Sequence, residues 1–149
     1  MNHIVVLDKA AKELENLLRG KKQMILRGSM SKMVPYKKIK IKDILFLVGN
    51  NRKNEITASC EVKEVYFTNK LSVDESFALI DKFQSKLLLN TALKKRYVGK
   101  QYLSLITVEN VKLLQEPLRL LPSFYLEIKK IDWITNAKTA INKEIIYEI

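Results

Sequence analysis

The sequence predicts a single α+β domain with a curved sheet. Helix-type and strand-type apolar patterns alternate along the chain, and no shift of composition marks a second domain. A length of 149 residues suits one hydrophobic core. In residues 55–67 the alternation of apolar and polar side chains slips by one position. Such a slip is typical of a β-bulge, and bulges bend sheets.

The first elements are predicted to be a strand, a helix and a second strand. Residues 3–7 form a short apolar run of β type. A helix is expected over residues 9–19, with Asp8 as its N-cap and Gly20 as the left-handed residue that ends it. Residues 24–27 then return as a strand.

A polar, basic segment over residues 28–42 is expected to be a long surface loop. The continuous apolar run at residues 44–48, closed by Gly49, indicates a buried strand followed by a turn. The alternating stretch at 55–67 is the clearest strand of the sequence. Its residue Cys60 lies on the apolar face, as expected for a small buried side chain.

Helical segments follow the long strand. A helix is predicted to start at a cap formed by Ser72 or Asp74 and to end near Phe83. Its expected buried face consists of Phe77, Ile80 and Phe83. A further turn or two is expected over residues 91–96, before Gly99.

The last third begins with a predicted strand over residues 102–114. Beyond Pro117 the pattern allows two interpretations. An apolar stripe over residues 128–145 approximates a helix, whereas residues 143–149 fit a strand equally well. We expect residues 116–149 to form a C-terminal extension that packs on the curved sheet.

The positive charge is concentrated in one segment. Eleven basic residues and one acidic residue lie between Arg19 and Lys53, so this basic segment carries +10 of the net charge of +11. Its basic residues are Arg19, Lys21, Lys22, Arg27, Lys32, Lys37, Lys38, Lys40, Lys42, Arg52 and Lys53. A generally basic composition would spread the charge, whereas a local excess attracts polyanions. A polyanion is therefore the expected partner.

Several classes of protein are disfavoured. No apolar run approaches the roughly 18–20 residues that span a bilayer, and the first residues lack the pattern of a signal peptide. One cysteine excludes an internal disulfide and a cysteine-based zinc site. His3 is the single histidine, which disfavours a catalytic or metal role for it. We expect a cytoplasmic protein without metal or cofactor.

The stretch from Gly20 to Arg27 resembles the signature of the ASCH family, which reads approximately G-x-K-x-x-x-x-R. Residues 41–46 resemble the start of that family's next strand, with Lys42 in place of the usual glycine. Residues 97–106 are similar to its late, barrel-closing strand. The resemblance covers about residues 3–115.

This resemblance implies a PUA-like β pseudobarrel, with a mixed, mostly antiparallel sheet and flanking helices. A cleft beside such a barrel binds RNA, a modified base or a nucleoside, and the motif places Lys22 and Arg27 in it, with Gly20 as the turn. An arginine fork suits phosphate oxygens or a base edge, and a lysine is a compact charge for a phosphate or an oxyanion. Along a regular strand, however, these two side chains would point to opposite faces unless a bend follows Gly20.

Other candidate binding residues lie near these cations or beside other basic residues. They are Ser29, Lys32, Tyr97 and Lys100. Stacking of a base requires a ring beside a cation. Tyr97 is the first candidate for that ring, with Tyr36 and Tyr102 as the others. The run Lys37, Lys38, Lys40 and Lys42 is expected to be a solvated face that at most steers a nucleic-acid backbone.

Two alternatives to a binding module remain open. The first is a hydrolase acting on RNA or a modified nucleoside, in which Lys22 stabilises an oxyanion. Its general base would be Asp74, Glu75 or Asp81. Amidohydrolases of the ASCH family have a threonine three residues after the lysine, where this chain has Ile25, which cannot act as a nucleophile. The second alternative is an interaction domain for an acidic protein. Base identity and oligomeric state stay open.

Overall fold

The computed structural model describes residues 2–32, 37–49 and 55–119, and the backbone of residues 134–136. Within these ranges the chain forms six strands and four helices. In chain order they are β1 (Asn2–Val6), α1 (Glu13–Leu18), β2 (Met24–Ser29), β3 (Ile44–Val48), β4 (Glu55–Phe67), α2 (Val73–Lys82), α3 (Gln84–Leu87), α4 (Thr91–Tyr97), β5 (Tyr102–Arg119) and β6 (Ile134–Asn136). No helix among these residues is long and apolar enough to cross a membrane.

The strands form one mixed sheet in the order β2-β5-β4-β3-β1-β6. Strands β1 and β3 run parallel, and the other neighbours run antiparallel. The register of β4 against β5 shifts three times, including once between Val62 and Glu64, where the sequence predicted a bulge. The predicted α+β fold with a mostly antiparallel, irregular sheet is confirmed.

Each face of the sheet carries a hydrophobic core, because successive residues of a strand point to opposite sides. Ile25 belongs to the core beneath α1, together with Leu17 and Leu47. Its neighbours Met24 and Leu26 belong to the core beneath α2, α3 and α4. Strand β2 is therefore buried on both faces. Its single charged residue, Arg27, is consequently a buried charge.

Helix α1 is shorter than predicted, since residues 9–12 form turns. Lys12, just before the helix, has a left-handed backbone with a φ of 53°, which interrupts the helical hydrogen bonding. Asp8 accepts a hydrogen bond from the N–H of Ala10 at 3.1 Å, within those turns. Gly20 has the expected left-handed conformation, with a φ of 74°.

Helix α2 begins at the predicted cap, where Ser72 and Glu75 exchange hydrogen bonds in a capping box. The predicted burial of Phe77 is wrong, since 59% of this residue is exposed. Ile80 is buried as predicted, and Ser76 is the other buried residue of the helix. The Ser76 hydroxyl accepts a hydrogen bond from the N–H of Gly99 at 2.8 Å, and this contact fixes the rotation of α2.

The C-terminal prediction is corrected in part. Strand β5 continues to Arg119, so the expected boundary at residue 116 falls within a strand. Residues 134–136 form β6, which pairs with β1, where the apolar stripe favoured a helix. The remainder of residues 120–149 lies outside the described residues.

Candidate functional site

Three charged side chains are buried together at the N-terminal side of β2. Glu13, Lys22 and Arg27 are 2%, 2% and 1% exposed. Lys22 Nζ lies 3.5 Å from Glu13 Oε2, and Arg27 Nη2 lies 3.8 Å from Glu13 Oε1. We call these three residues the buried triad. It combines two cations with one carboxylate inside the protein.

The turn at Gly20 explains how both cations of the motif reach one carboxylate. Its left-handed backbone ends α1 and reverses the chain, and the Lys22 N–H then bonds the Asn16 carbonyl at 3.0 Å. Lys22 therefore precedes β2, which begins at Met24. The alternation of a strand does not apply between Lys22 and Arg27, so the predicted divergence of the two side chains does not occur.

Hydrogen bonds connect the buried triad to four parts of the fold. Lys22 Nζ donates to the carbonyl of Leu87 at the end of α3. Arg27 Nη2 donates to the Val6 carbonyl of β1 at 2.6 Å, and Nη1 to the Leu26 carbonyl at 2.6 Å. Glu13 Oε1 accepts from the Asp8 N–H at 2.8 Å. The triad therefore links α1, α3, β1 and β2.

The environment of Lys22 disfavours its charged form. Burial lowers the pKa of Lys22, the Glu13 carboxylate opposes that change, and the Arg27 guanidinium adds to it. Lys22 is thus a lysine in which proton loss is easier than usual. Arginine, by contrast, stays charged in proteins.

The structure thus brings Lys22 and Arg27 together, as the motif predicted, but beneath the surface and onto a carboxylate. The sequence argument missed Glu13. One signal was available, because Glu13 lies four residues before Leu17 and so shares the apolar face of α1. A charged residue on a buried helical face needs a partner of opposite charge.

A second group of predicted residues meets where β2 ends and β5 begins. Ser29 is the cross-strand partner of Tyr102, and the Lys32 ammonium lies 5.8 Å from the centre of the Tyr102 ring. A Cβ on Gly28 would lie 3.3 Å from Lys100 Cβ and 3.3 Å from the Tyr102 carbonyl oxygen, so the two segments approach closely. We call Ser29, Lys32, Lys100 and Tyr102 the β2–β5 corner. Lys32 is exposed, and the other three are partly exposed.

Tyr97, the first candidate for a stacking ring, requires a correction. It is 0% exposed and belongs to the core beneath the helices. It follows Leu93 by one helical turn of α4, and that face of the helix packs against the sheet. The Tyr102 ring lies beside the Lys32 ammonium, and the Phe83 ring lies 5.4 Å from the Lys82 ammonium. Tyr36 lies outside the described residues.

The other reactive side chains have structural partners. His3 Nε2 lies 2.9 Å from Asp43 Oδ2 in the interior. Burial alone would raise the pKa of Asp43, but hydrogen bonds from His3 and from the Lys40 N–H outweigh it and lower that pKa.

Burial, with a smaller contribution from Glu61, raises the pKa of the Cys60 thiol to about 12. Cys60 is therefore a protonated, unreactive thiol at neutral pH.

The three carboxylates considered as a general base are exposed residues of α2. Glu75 is engaged in the capping box with Ser72, and these hydrogen bonds lower the pKa of Glu75. Among the described residues the carboxylate that contacts Lys22 is that of Glu13. In the same part of the chain, no group of three or more histidine, cysteine, aspartate and glutamate residues is arranged to hold a metal ion.

Comparison with solved structures identifies the fold. The crystal structure of an ASCH protein from Zymomonas mobilis matches with a TM-score of 0.59 and 11% identity, over 99% of this chain and 92% of that chain. Two variants of that protein, with one tyrosine changed to phenylalanine or one serine to alanine, match with TM-scores of 0.58 and identities of 11% and 10%. They cover 94% and 92% of those chains and 99% of this one. No protein-family model and no curated protein matches the sequence. The predicted fold of the ASCH structures is confirmed.

Proposed function

We propose that this chain, which has the fold of the ASCH structures, binds RNA or a nucleotide at the β2–β5 corner. The observation that carries the proposal is the Lys32 ammonium 5.8 Å from the centre of the Tyr102 ring. Lys32 lies in the basic segment, and Tyr102 pairs across the sheet with Ser29 of the same segment. A ring beside a cation, within a locally positive surface, is the combination that single-stranded nucleic acids use.

Each residue of the corner has a chemical task in this proposal. The Tyr102 ring stacks on a base, while the ammonium groups of Lys32 and Lys100 attract the flanking phosphates. The Ser29 hydroxyl, which donates to the Ser31 carbonyl, also has lone pairs that accept from a base or a ribose hydroxyl. Together these groups read a single-stranded nucleotide mainly by stacking and charge.

The buried triad supports the corner from behind. Arg27 lies in β2 directly before Gly28, and its cross-strand partner is Ser104 of β5. Its hydrogen bond to the Val6 carbonyl fixes this part of β2 against β1. We therefore assign Lys22 and Arg27 the task of positioning the strand that carries Ser29. Gly20 contributes the turn that lets the triad assemble.

The test is fluorescence anisotropy of a short labelled single-stranded RNA of mixed sequence. Removal of the ring by Tyr102→Ala should weaken binding by about 1–3 kcal/mol, or roughly 5- to 150-fold. Tyr102→Phe keeps the ring and should keep most of the affinity. The matched control is Tyr66→Ala, which removes an exposed tyrosine from β4.

Salt dependence gives a second readout. Because each neutralised phosphate releases counterions, the affinity of the wild-type protein should fall steeply between about 50 and about 200 mM salt. Equal losses in Tyr102→Ala and Tyr66→Ala would remove stacking on Tyr102 from the proposal. Absence of any salt-dependent binding by the wild-type protein would refute the function itself. Binding of heparin by a protein that does not bind RNA would point to an acidic protein partner.

A hydrolase is the second candidate, based on the contact between Lys22 and Glu13, and it requires substrate to reach a pair that is 2% exposed in this structure. A lysine of lowered pKa at 3.5 Å from a carboxylate is a pair able to stabilise an oxyanion and transfer a proton. Glu13 replaces the three α2 carboxylates as the general base in this version. Incubation with a panel of modified nucleosides, followed by mass spectrometry, should show a product that Glu13→Gln fails to form. Ligand binding without any product would exclude the hydrolase.

A further inference from the structure

Lys42 adopts a backbone conformation that disfavours lysine. Its φ is 73°, within the left-handed region where the Cβ atom of an L-residue crowds the backbone and glycine is preferred. A side chain that persists at such a position destabilises the fold relative to glycine. Lys12, Lys37, Leu88 and Asn110 also have a positive φ, so the backbone conformation motivates a functional hypothesis only together with the surroundings of the residue.

The segment around Lys42 is held rigidly from the inside. We call residues 37–43 the basic turn. Ile39 is buried in the core beneath α1. The Asp43 carboxylate accepts from the Lys40 N–H at 2.9 Å and lies 2.9 Å from His3 Nε2. The Lys42 N–H bonds the Val62 carbonyl at 2.8 Å, and the Val62 N–H bonds the Asp43 carbonyl at 2.9 Å.

The outer side of the basic turn is strongly cationic. Its exposed lysines are Lys37, Lys38, Lys40 and Lys42. Asp43 is the one acidic residue of the turn, and its carboxylate is buried and directed toward His3. On the neighbouring strand the carboxylate of Glu61 contacts Asn110 Nδ2 at 3.3 Å, and Lys63 is exposed. The turn therefore carries exposed lysine side chains on a backbone that hydrogen bonds hold in place.

From this geometry we infer that the basic turn is a preformed binding surface for the phosphates of a nucleic-acid strand, with the Lys42 ammonium contacting one phosphate. The partner follows from the chemistry of the groups. Ammonium groups act as point charges that suit phosphates, and the described part of the turn offers Ile41, 59% exposed, but no aromatic ring for a base. The contact should thus be independent of sequence. This inference rests on the proposed function and adds the basic turn to the β2–β5 corner as a second surface that contacts the nucleic acid.

A preformed turn gives this surface an advantage. Binding usually costs the ordering of loops and side chains, and a backbone already fixed by Asp43 and Val62 avoids the loop part of that cost. The strain at Lys42 is then a stable feature of the free protein. Replacement of Lys42 by glycine should therefore raise stability and lower the affinity for RNA.

The test is Lys42→Gly. Relief of the left-handed strain should raise the Tm by about 2–4 °C. Loss of one phosphate contact should lower the affinity for single-stranded RNA about fivefold at 0.1 M salt, and should reduce the salt slope by about 0.7. A merely structural lysine would give the same rise in Tm with unchanged affinity and slope.

The chain offers a matched control in Lys12→Gly. Lys12 is also exposed and left-handed, with a φ of 53°, but it precedes α1 and lies outside the basic segment. This control removes the same charge and relieves the same kind of strain, and it should leave the salt slope unchanged. Lys42→Arg keeps the charge and should retain the affinity. The inference is overturned if Lys42→Gly binds RNA with the slope of the Lys12→Gly control. If the wild-type protein binds no RNA, the proposed function has failed instead.

Discussion

Lys22 and Lys42 belong to the same basic segment, yet the fold treats them in opposite ways. Lys22 is 2% exposed, its ammonium meets a carboxylate, and burial lowers its pKa. Lys42 is exposed on a turn whose backbone is strained to hold it there. A count of positive charge along a sequence therefore does not give the charge that a ligand meets. Interior cations determine the stability of the fold, and exterior cations are available to a partner.

The physical reason is the cost of removing a charge from water. A buried ion must be compensated by a partner and by hydrogen bonds, so each member of the buried triad depends on the others. An exposed lysine is solvated and contributes little to stability. Substitutions of buried and of exposed charged residues should therefore change the free energy of unfolding by very different amounts.

The largest effect is expected for Glu13→Ala. Removal of the one carboxylate leaves two buried cations uncompensated, so the free energy of unfolding should fall by about 3–5 kcal/mol. Denaturant unfolding followed by circular dichroism measures the loss. Glu15→Ala removes an exposed glutamate from the same helix and should stay within about 0.5 kcal/mol of the wild type. Should Glu13→Ala unfold entirely, Glu13→Gln offers a milder version. Equal stability of the Glu13 and Glu15 variants would show that the triad is not coupled.

A smaller effect is expected in the pH dependence of stability. Because the pKa of Lys22 is lower in the folded state than its ordinary value of 10.5, the folded protein loses this proton first as the pH rises. Within the window below pH 10.5 the unfolded chain then binds more protons, so stability contributed by Lys22 increases with pH. Unfolding of the wild-type protein and of Lys22→Met, measured across this window, should diverge in favour of the wild type. Parallel profiles would contradict the lowered pKa.

The strands were predictable because their signals are local. The bounds of β3 follow from a continuous apolar run closed by Gly49, and those of β4 from the alternation, including its slip. The end of α1 is equally local, since Gly20 supplies the left-handed turn. The position at which α1 begins has no local signal in the sequence. It depends on a left-handed conformation at Lys12 that no residue preference indicates.

The site was predictable only in part, because a side chain's direction is set by tertiary contacts. The motif brought Lys22 and Arg27 together, but their burial depends on α3 and on Glu13. Tyr97 and Tyr102 both stand beside basic residues in the sequence. Packing of α4 buries the first, and pairing of β5 with β2 sets the second beside Lys32. Charge along the chain shows which segment attracts a polyanion, while pairing of strands and helices decides which residues contact it.

The smallest effect on stability is expected for Lys38→Ala, a substitution that should nevertheless lower the affinity for RNA. Lys38 is an exposed member of the basic turn, so its loss should change the free energy of unfolding by no more than about 0.5 kcal/mol. If the basic turn binds phosphates as inferred, the same substitution should weaken RNA binding and lower the salt slope by up to about 0.7. Unfolding and anisotropy titrations on one preparation measure both quantities. A loss of stability approaching that of Glu13→Ala, with unchanged RNA affinity, would mean that the basic turn belongs to the structural scaffold and that exposure does not separate the two roles of these lysines.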